Sequence, residues 1–143
     1  MSSIATRPTC RLIPSGSTFR GKQGLDYLAG ISAESVGATG LCMHMVTIPP
    51  GTRANAHLHE NHESAIYCLS GEAEMWFGES LADYMTMGAG DYVYIPAGVP
   101  HLPSNPSPDV PFVGILARTD PNEQESVVLR PDLEPAILHR EDA

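Results

Sequence analysis

An all-β fold, a sandwich or barrel of short strands in a single domain, is what this chain predicts, on three observations. Its 143 residues fit one domain, and a hydrophobic fraction of 42% is enough for one core. Thirteen glycines and thirteen prolines supply frequent tight turns, while long stretches with helical apolar periodicity are few. Between the turns lie short runs rich in β-branched and aromatic residues, several with apolar side chains recurring at every second position. Helix is expected to be minor.

Residues 1–24 are polar and turn-rich, with one short apolar piece at Leu12 and Ile13, and are expected to form an extended N-terminal arm. Strands follow over 25–31 and 39–48. In the second, Cys42, His44, Val46 and Ile48 share one face and Met43, Met45 and Thr47 the other. Both faces are mainly apolar, so a partner subunit or a returning arm should cover the outer one. Pro49, Pro50 and Gly51 end that strand. Residues 64–69 and 74–77 are expected to pair as a hairpin around Ser70, Gly71 and Glu72. Residues 84–87 and 92–95 are expected to form a second hairpin across Gly88, Ala89, Gly90 and Asp91. A last core strand runs over 110–117. Beyond Arg118 a polar turn region leads to Val127, Val128 and Leu129, one short strand in an extended tail broken by Pro131 and Pro135. The expected organisation is an arm over 1–24, a barrel over 25–119, and a C-terminal extension over 120–143 packed on the barrel or on a partner.

Composition narrows the partners. Seventeen acidic against eight basic side chains give a formal charge of −9, which repels a phosphate backbone or an anionic membrane surface. Nucleic acid and membrane are therefore not expected, whereas a single anionic group could still bind a metal cation. Cys10, Cys42 and Cys68 are odd in number and lack CxxC spacing, so they are expected to be free, buried thiols in a reducing compartment. With no apolar run of signal-peptide or bilayer-spanning type, a cytoplasmic protein is expected.

The chemistry sits on histidine. His57 and His59, one residue apart in a stretch rich in β formers, project from one face of a strand with Cα atoms about 7 Å apart, close enough to share one ion. Around them runs Gly51, five residues, His57, one residue, His59, three residues, Glu63. Further on come Gly90, five residues, Pro96, Ala97, Gly98, two residues, His101, three residues and Asn105. The two blocks resemble the paired motifs of the cupin superfamily, small jelly-roll β-barrels that hold a metal near the barrel axis. The resemblance covers roughly residues 40 to 117 and implies a single-barrel member with one divalent transition metal per chain: iron, zinc, nickel or manganese. The second block matches throughout. The first departs once, because seven residues rather than the family's usual six separate Glu63 from Gly71.

That departure leaves the ligand beside His57, His59 and His101 open. Counting back from Gly71 reaches Ser64, a poor ligand, where most relatives place Glu. Glu63 satisfies the forward count from His59, and His62 shares strand parity with position 64. A site of three histidines is the remaining alternative. If Glu63 is no ligand, it could still accept a hydrogen bond from a ligating imidazole. Six histidines in the chain with four at ligand spacings make scattered polar histidines a poor account. His44, mid-strand among apolar neighbours, is expected to be a core histidine, and His139, in the tail, to face solvent. Tyr67, Tyr92 and Tyr94 could line the pocket, but strand aromatics usually serve packing. Gly51, Gly71, Gly90, Gly98 and Pro96 are expected at tight corners, with Asn105 hydrogen-bonding a loop.

The resemblance implies a metal-dependent enzyme acting on a small oxygenated organic molecule, with dioxygenase chemistry first. A redox-silent cyclase, isomerase or lyase, or a small-molecule-binding module without catalysis, is the alternative, because fold and metal alone name no substrate. No individual catalytic residue stands out. A barrel this small is expected to pair its apolar outer surface with a second copy as a homodimer.

Overall fold

Among the described residues, period-two alternation is realised as eleven strands in two antiparallel sheets, and the interior between them holds His44, His57, His59, His62 and His101. The structure, a computed structural model, describes residues 8–14 and 16–135. His139 and the ends of the expected arm and extension lie outside the described residues. The strands are β1 (Thr18–Arg20), β2 (Asp26–Ile31), β3 (Cys42–Ile48), β4 (His57–His59), β5 (Ser64–Ser70), β6 (Glu72–Phe77), β7 (Asp83–Gly88), β8 (Tyr92–Ile95), β9 (His101–Ser104), β10 (Phe112–Arg118) and β11 (Val127–Leu129). A four-residue helix, α1 (Ala33–Val36), follows β2. Ser32 caps it by accepting from the Ser35 amide, and Gly37 closes it in the left-handed region.

One sheet runs β1-β2-β3-β10-β5-β8 and the other β11-β4-β9-β6-β7, the face-to-face arrangement of a jelly roll. Among the described strands no ladder joins the edge of one sheet to the other, so the barrel is a flattened sandwich rather than a closed cylinder. In β3 the alternation holds, with Cys42, His44, Val46 and Ile48 buried. Their partners across the core include Met75, Met87, Val93, Ile95, Phe112 and Leu116. His44 is a core histidine as expected. Its Nδ1 accepts the Gly30 amide at 3.0 Å and its ring stands edge-on to Phe19.

The two expected hairpins do not form. Strand β5 pairs with β8 in one sheet (Ser64 opposite Ile95, Tyr67 opposite Tyr92), and β6 with β7 in the other (Glu72 opposite Gly88, Phe77 opposite Asp83). The reason is local. Only Gly71 separates β5 from β6, fewer residues than a two-residue hairpin turn needs. With φ at +76°, Gly71 instead turns a corner between sheets, where a Cβ would collide with the Pro111 carbonyl oxygen. The loop after β7 is likewise tied to the other sheet, since Gly90 N–H donates to the Cys68 carbonyl and Cys68 N–H to that of Asp91. A corner and a hairpin use the same glycine chemistry, so composition does not separate them.

The cysteine expectation holds for Cys42 and Cys68, which are buried and free, and fails for Cys10, which is free but exposed in the N-terminal stretch. Asn105 is buried and braces a loop: its Nδ2 donates to Ile48 and Val110 carbonyls at 2.9 and 2.8 Å, and its Oδ1 accepts from the Ser107 amide. No helix among the described residues is long and apolar enough to cross a membrane.

Candidate metal centre

Strand β4 is too short to do more than present two side chains inward, and it presents His57 and His59 with Leu58 turned away. Its antiparallel neighbour β9 places His101 directly opposite His57. The loop before β9 is locked to β4, because Gly98, at φ +80°, donates its N–H to the His59 carbonyl at 2.7 Å. That bond joins the two motifs, far apart in sequence, at the point where their imidazoles meet.

The ring centroids lie 4.3 Å (His57 to His101), 5.1 Å (His57 to His59) and 5.1 Å (His59 to His101) apart, and one ligand nitrogen from each falls within 4.8 Å of the others. The tautomers follow from the neighbours. His57 Nδ1 faces the Asn55 carbonyl at 2.6 Å and His101 Nδ1 the Val99 carbonyl at 3.0 Å. A carbonyl only accepts, so each Nδ1 carries the proton and each Nε2 keeps its lone pair. Burial holds all three rings neutral: it drives the His57 and His59 pKa values far down, aided by the neighbouring imidazoles, and brings His101 to about 4. Neutral imidazoles with directed lone pairs are the ligand form for a borderline divalent ion. The residues present therefore fit such an ion.

Each other predicted residue has a definite place. His62 is buried against His59, with ring centroids 4.7 Å apart. Its Nδ1 lies 3.3 Å from Ser126 Oγ and 3.7 Å from an Asp120 carboxylate oxygen, and its Nε2 has no hydrogen-bond partner. Ser64, at the position counted back from Gly71, turns into the cavity with its hydroxyl unpartnered. Glu63 points the other way, as strand alternation demands, and lies exposed with its carboxylate accepting from the Tyr94 hydroxyl at 3.1 Å. The structure thus brings His57, His59 and His101 together, sets His62 beside them, and leaves Glu63 on the outer surface. Tyr67, Tyr92 and Tyr94 are on that outer surface too.

Sequence reasoning missed a buried polar cluster beside the same cavity. Arg118 Nη1 donates to Glu125 Oε2 at 3.1 Å, and both side chains are 3% exposed. Glu125 Oε1 stands 3.6 Å from His59 Nδ1 and 3.5 Å from Gln23 Nε2, while Gln23 also donates to the Tyr27 hydroxyl. His59, His62 and Glu125 form a second set of ligand atoms within 4.8 Å of one another. Burial raises the Tyr27 pKa to about 12, and it also raises that of Glu125 against the opposing pull of Arg118. One signal was available: Arg118 continues the inward phase of Phe112, Gly114 and Leu116 along β10, so an arginine was due to point into the core and to need a partner.

The cavity below the histidines is about 50 Å³, against the ~10–15 Å³ that one water needs. Its walls are mainly aliphatic, from Leu25, Ile48, Ile66, Met75, Ile95 and Leu116.

A two-sheet jelly roll with converging, neutral imidazoles inside it defines a class of protein able to hold a metal ion in its interior. Residues 44–117, just over half the chain, match the family model described as Cupin domain, and the chain belongs to that family. A curated relative, quercetin 2,3-dioxygenase of Bacillus subtilis (strain 168), is 32% identical over 68 residues, which are 48% of this chain and 19% of the relative. Among solved structures, the DMSP lyase DddQ from Ruegeria pomeroyi DSS-3 superposes with a TM-score of 0.54 at 28% identity, covering 64% of this chain and 44% of that one. The Lactobacillus farciminis oxalate decarboxylase formate complex gives a TM-score of 0.66 at 20% identity over 88% of this chain and 37% of that one, a likeness of fold. The chain spans about a fifth of the length of the curated relative and less than half of either solved chain.

Proposed function

We propose that the chain is a metal-dependent enzyme for a small oxygenated organic molecule, with oxygen-dependent chemistry as the leading reading. The observation that carries it is the convergence of His57, His59 and His101, with Nδ1 of the first and last committed to carbonyls. Those three are the proposed ligands, His62 is a flanking group, and Glu63 lies outside the ligand set. A divalent transition ion held there would supply Lewis-acid polarisation of a substrate oxygen and, when redox-active, a route to dioxygen.

The chain's own residues do the rest. The aliphatic walls exclude water and seat the apolar body of a small substrate. Oxygenase chemistry is favoured over a lyase or isomerase by the shortage of a free base. Among the described residues lining the cavity, the ionisable groups besides the three histidines are Tyr27 and Arg118. Tyr27 is held protonated with its pKa near 12, and Arg118 is paired with Glu125. The likeness to a dioxygenase supports the same reading, and that to a DMSP lyase supports the alternative.

The test is oxygen consumption by the iron-loaded protein against a panel of small enolic and carbonyl compounds. Substrate-dependent uptake that vanishes in His57→Ala is the expected result. Turnover of the panel without oxygen uptake would point to the redox-silent alternative, and no turnover to a binding module.

A homodimer and a reducing, cytoplasmic setting belong to the same proposal. On the outer face of the six-stranded sheet, Met45, Ile115, Tyr67 and Tyr92 lie in register as one apolar row, with Tyr92 82% exposed. Exposed Met43, Leu69 and Tyr94 extend it. A second copy would bury this face. Sedimentation should give a dimer that Tyr67→Lys dissociates, and a wild-type monomer would remove this part of the proposal.

A further inference from the structure

We propose that Glu125 is the positioning residue for His59: a carboxylate from the segment after the sandwich fixes the ring by accepting its Nδ1 proton. The inference rests on the reading of His57, His59 and His101 as ligands. Two of those three rings are already oriented by backbone acceptors, His57 by Asn55 and His101 by Val99. The third is not. His59 Nδ1 is buried with no hydrogen-bond partner, and the carboxylate oxygen facing it is Glu125 Oε1 at 3.6 Å. A movement of about half an ångström brings that pair into hydrogen-bond range. A ligating histidine generally donates its second nitrogen to a carboxylate or carbonyl, which fixes both its tautomer and its aim.

The surroundings of Glu125 suit the role. Arg118 holds Oε2 at 3.1 Å, and Oε1, which also receives Gln23 Nε2 at 3.5 Å, faces His59. The segment carrying it is clamped to the histidine strand, because β11 pairs with β4 (Val127 opposite His59, Leu129 opposite His57). Two further bonds bracket that pairing, from Glu60 N–H to the Ser126 carbonyl and from Arg130 N–H to the Ala56 carbonyl. Ser64, reached by counting back from Gly71, turns into the cavity in place of an acidic side chain. Glu125 instead brings a carboxylate to the histidine cluster from the far end of the chain, beside His59. Arg118 balances the charge of Glu125, so an ion held by the three histidines would keep its pull on an anionic or enolate oxygen. His62, whose Nε2 is buried and unpartnered, shares the neighbourhood, with Asp120 beyond it.

Cobalt(II) is the probe, titrated in competition with a chelator and read by its visible absorption, which reports ligand geometry independently of turnover. Wild type should bind one ion per chain, and His101→Ala should abolish binding. Glu125→Ala alone would strand a buried guanidinium, so it is combined with Arg118→Met. This pair should weaken cobalt binding about 10–100-fold and alter the absorption band. A second pair, Glu125→Gln with Arg118→Met, keeps an amide oxygen to accept a hydrogen bond from His59 Nδ1 and leaves no guanidinium against the amide NH2, so it should stay within about threefold of wild type. The inference is overturned if the Glu125→Ala, Arg118→Met pair binds like wild type, or if the Glu125→Gln, Arg118→Met pair falls as far as it does, which would make Glu125 a ligand. Loss in neither His57→Ala nor His101→Ala would instead defeat the ligand reading beneath it. Nitrogen-detected NMR of zinc-loaded wild type, which needs no variant, gives a second readout. The His59 Nδ1 proton must appear there as a hydrogen-bonded, slowly exchanging signal, and its absence overturns the inference.

Discussion

His44 and His101 are equally buried, at 2% exposure each, and burial brings both to a pKa of about 4, yet their lone pairs are committed in opposite ways. His44 Nδ1 accepts a backbone amide, so its available lone pair is spent inside β2 and β3 and the ring serves packing against Phe19. His101 Nδ1 donates to a carbonyl, so Nε2 keeps a lone pair facing two other imidazoles. Burial and pKa do not separate a structural histidine from a ligand. The partner of the second nitrogen does.

The largest effect expected from this contrast is on metal affinity. His101→Ala should lower it by more than about 100-fold, beyond the range seen for groups that only orient a ligand, while His44→Gln should leave it within about threefold. Equal losses measured by chelator competition would erase the distinction.

Acid tests the burial of His44 on its own. His44 has a folded pKa of about 4 against an ordinary value of 6.5, so between those pH values the unfolded chain takes up a proton that the folded protein refuses. Stability is then unaffected by this group above pH 6.5 and falls as pH drops toward 4, by on the order of 3 kcal/mol. In metal-free protein, denaturant unfolding of His44→Gln should lose less stability than wild type across that window. Parallel curves would show that His44 is not the buried neutral group described.

Smaller differences sharpen the fourth position. His62→Ala should reduce metal affinity by less than about tenfold, as for a group touching a ligand rather than the ion. A loss equal to that of His101→Ala would make His62 a ligand. Glu63→Ala, on the outer surface, should change affinity by less than about twofold and stability by no more than ~0.5 kcal/mol, read by the same titration and by thermal unfolding.

Much of this site was legible in the chain because period-two alternation is rigid. It put His57 and His59 on one face and gave His62 the parity of Ser64, but the motif count still offered Glu63 as a ligand, and only the fold shows its side chain exposed. Bringing in His101 required the second motif block, since nothing local links it to β4. Strand positions were likewise readable, but pairing was not: the single glycine at 71 and the three-residue loop after Gly88 have hairpin chemistry and act as corners. Glu125 was hidden for a different reason. It sits in a polar stretch with several similar side chains, and its burial is decided by β11 docking on β4 and by Arg118 waiting inside.

Anomalous diffraction at the metal absorption edge, from crystals of protein purified without a histidine tag, tests the central claim most directly. One peak per chain within bonding distance of the Nε2 atoms of His57, His59 and His101 is the predicted result. A peak elsewhere, or none after soaking with iron, zinc, nickel and manganese in turn, would contradict it.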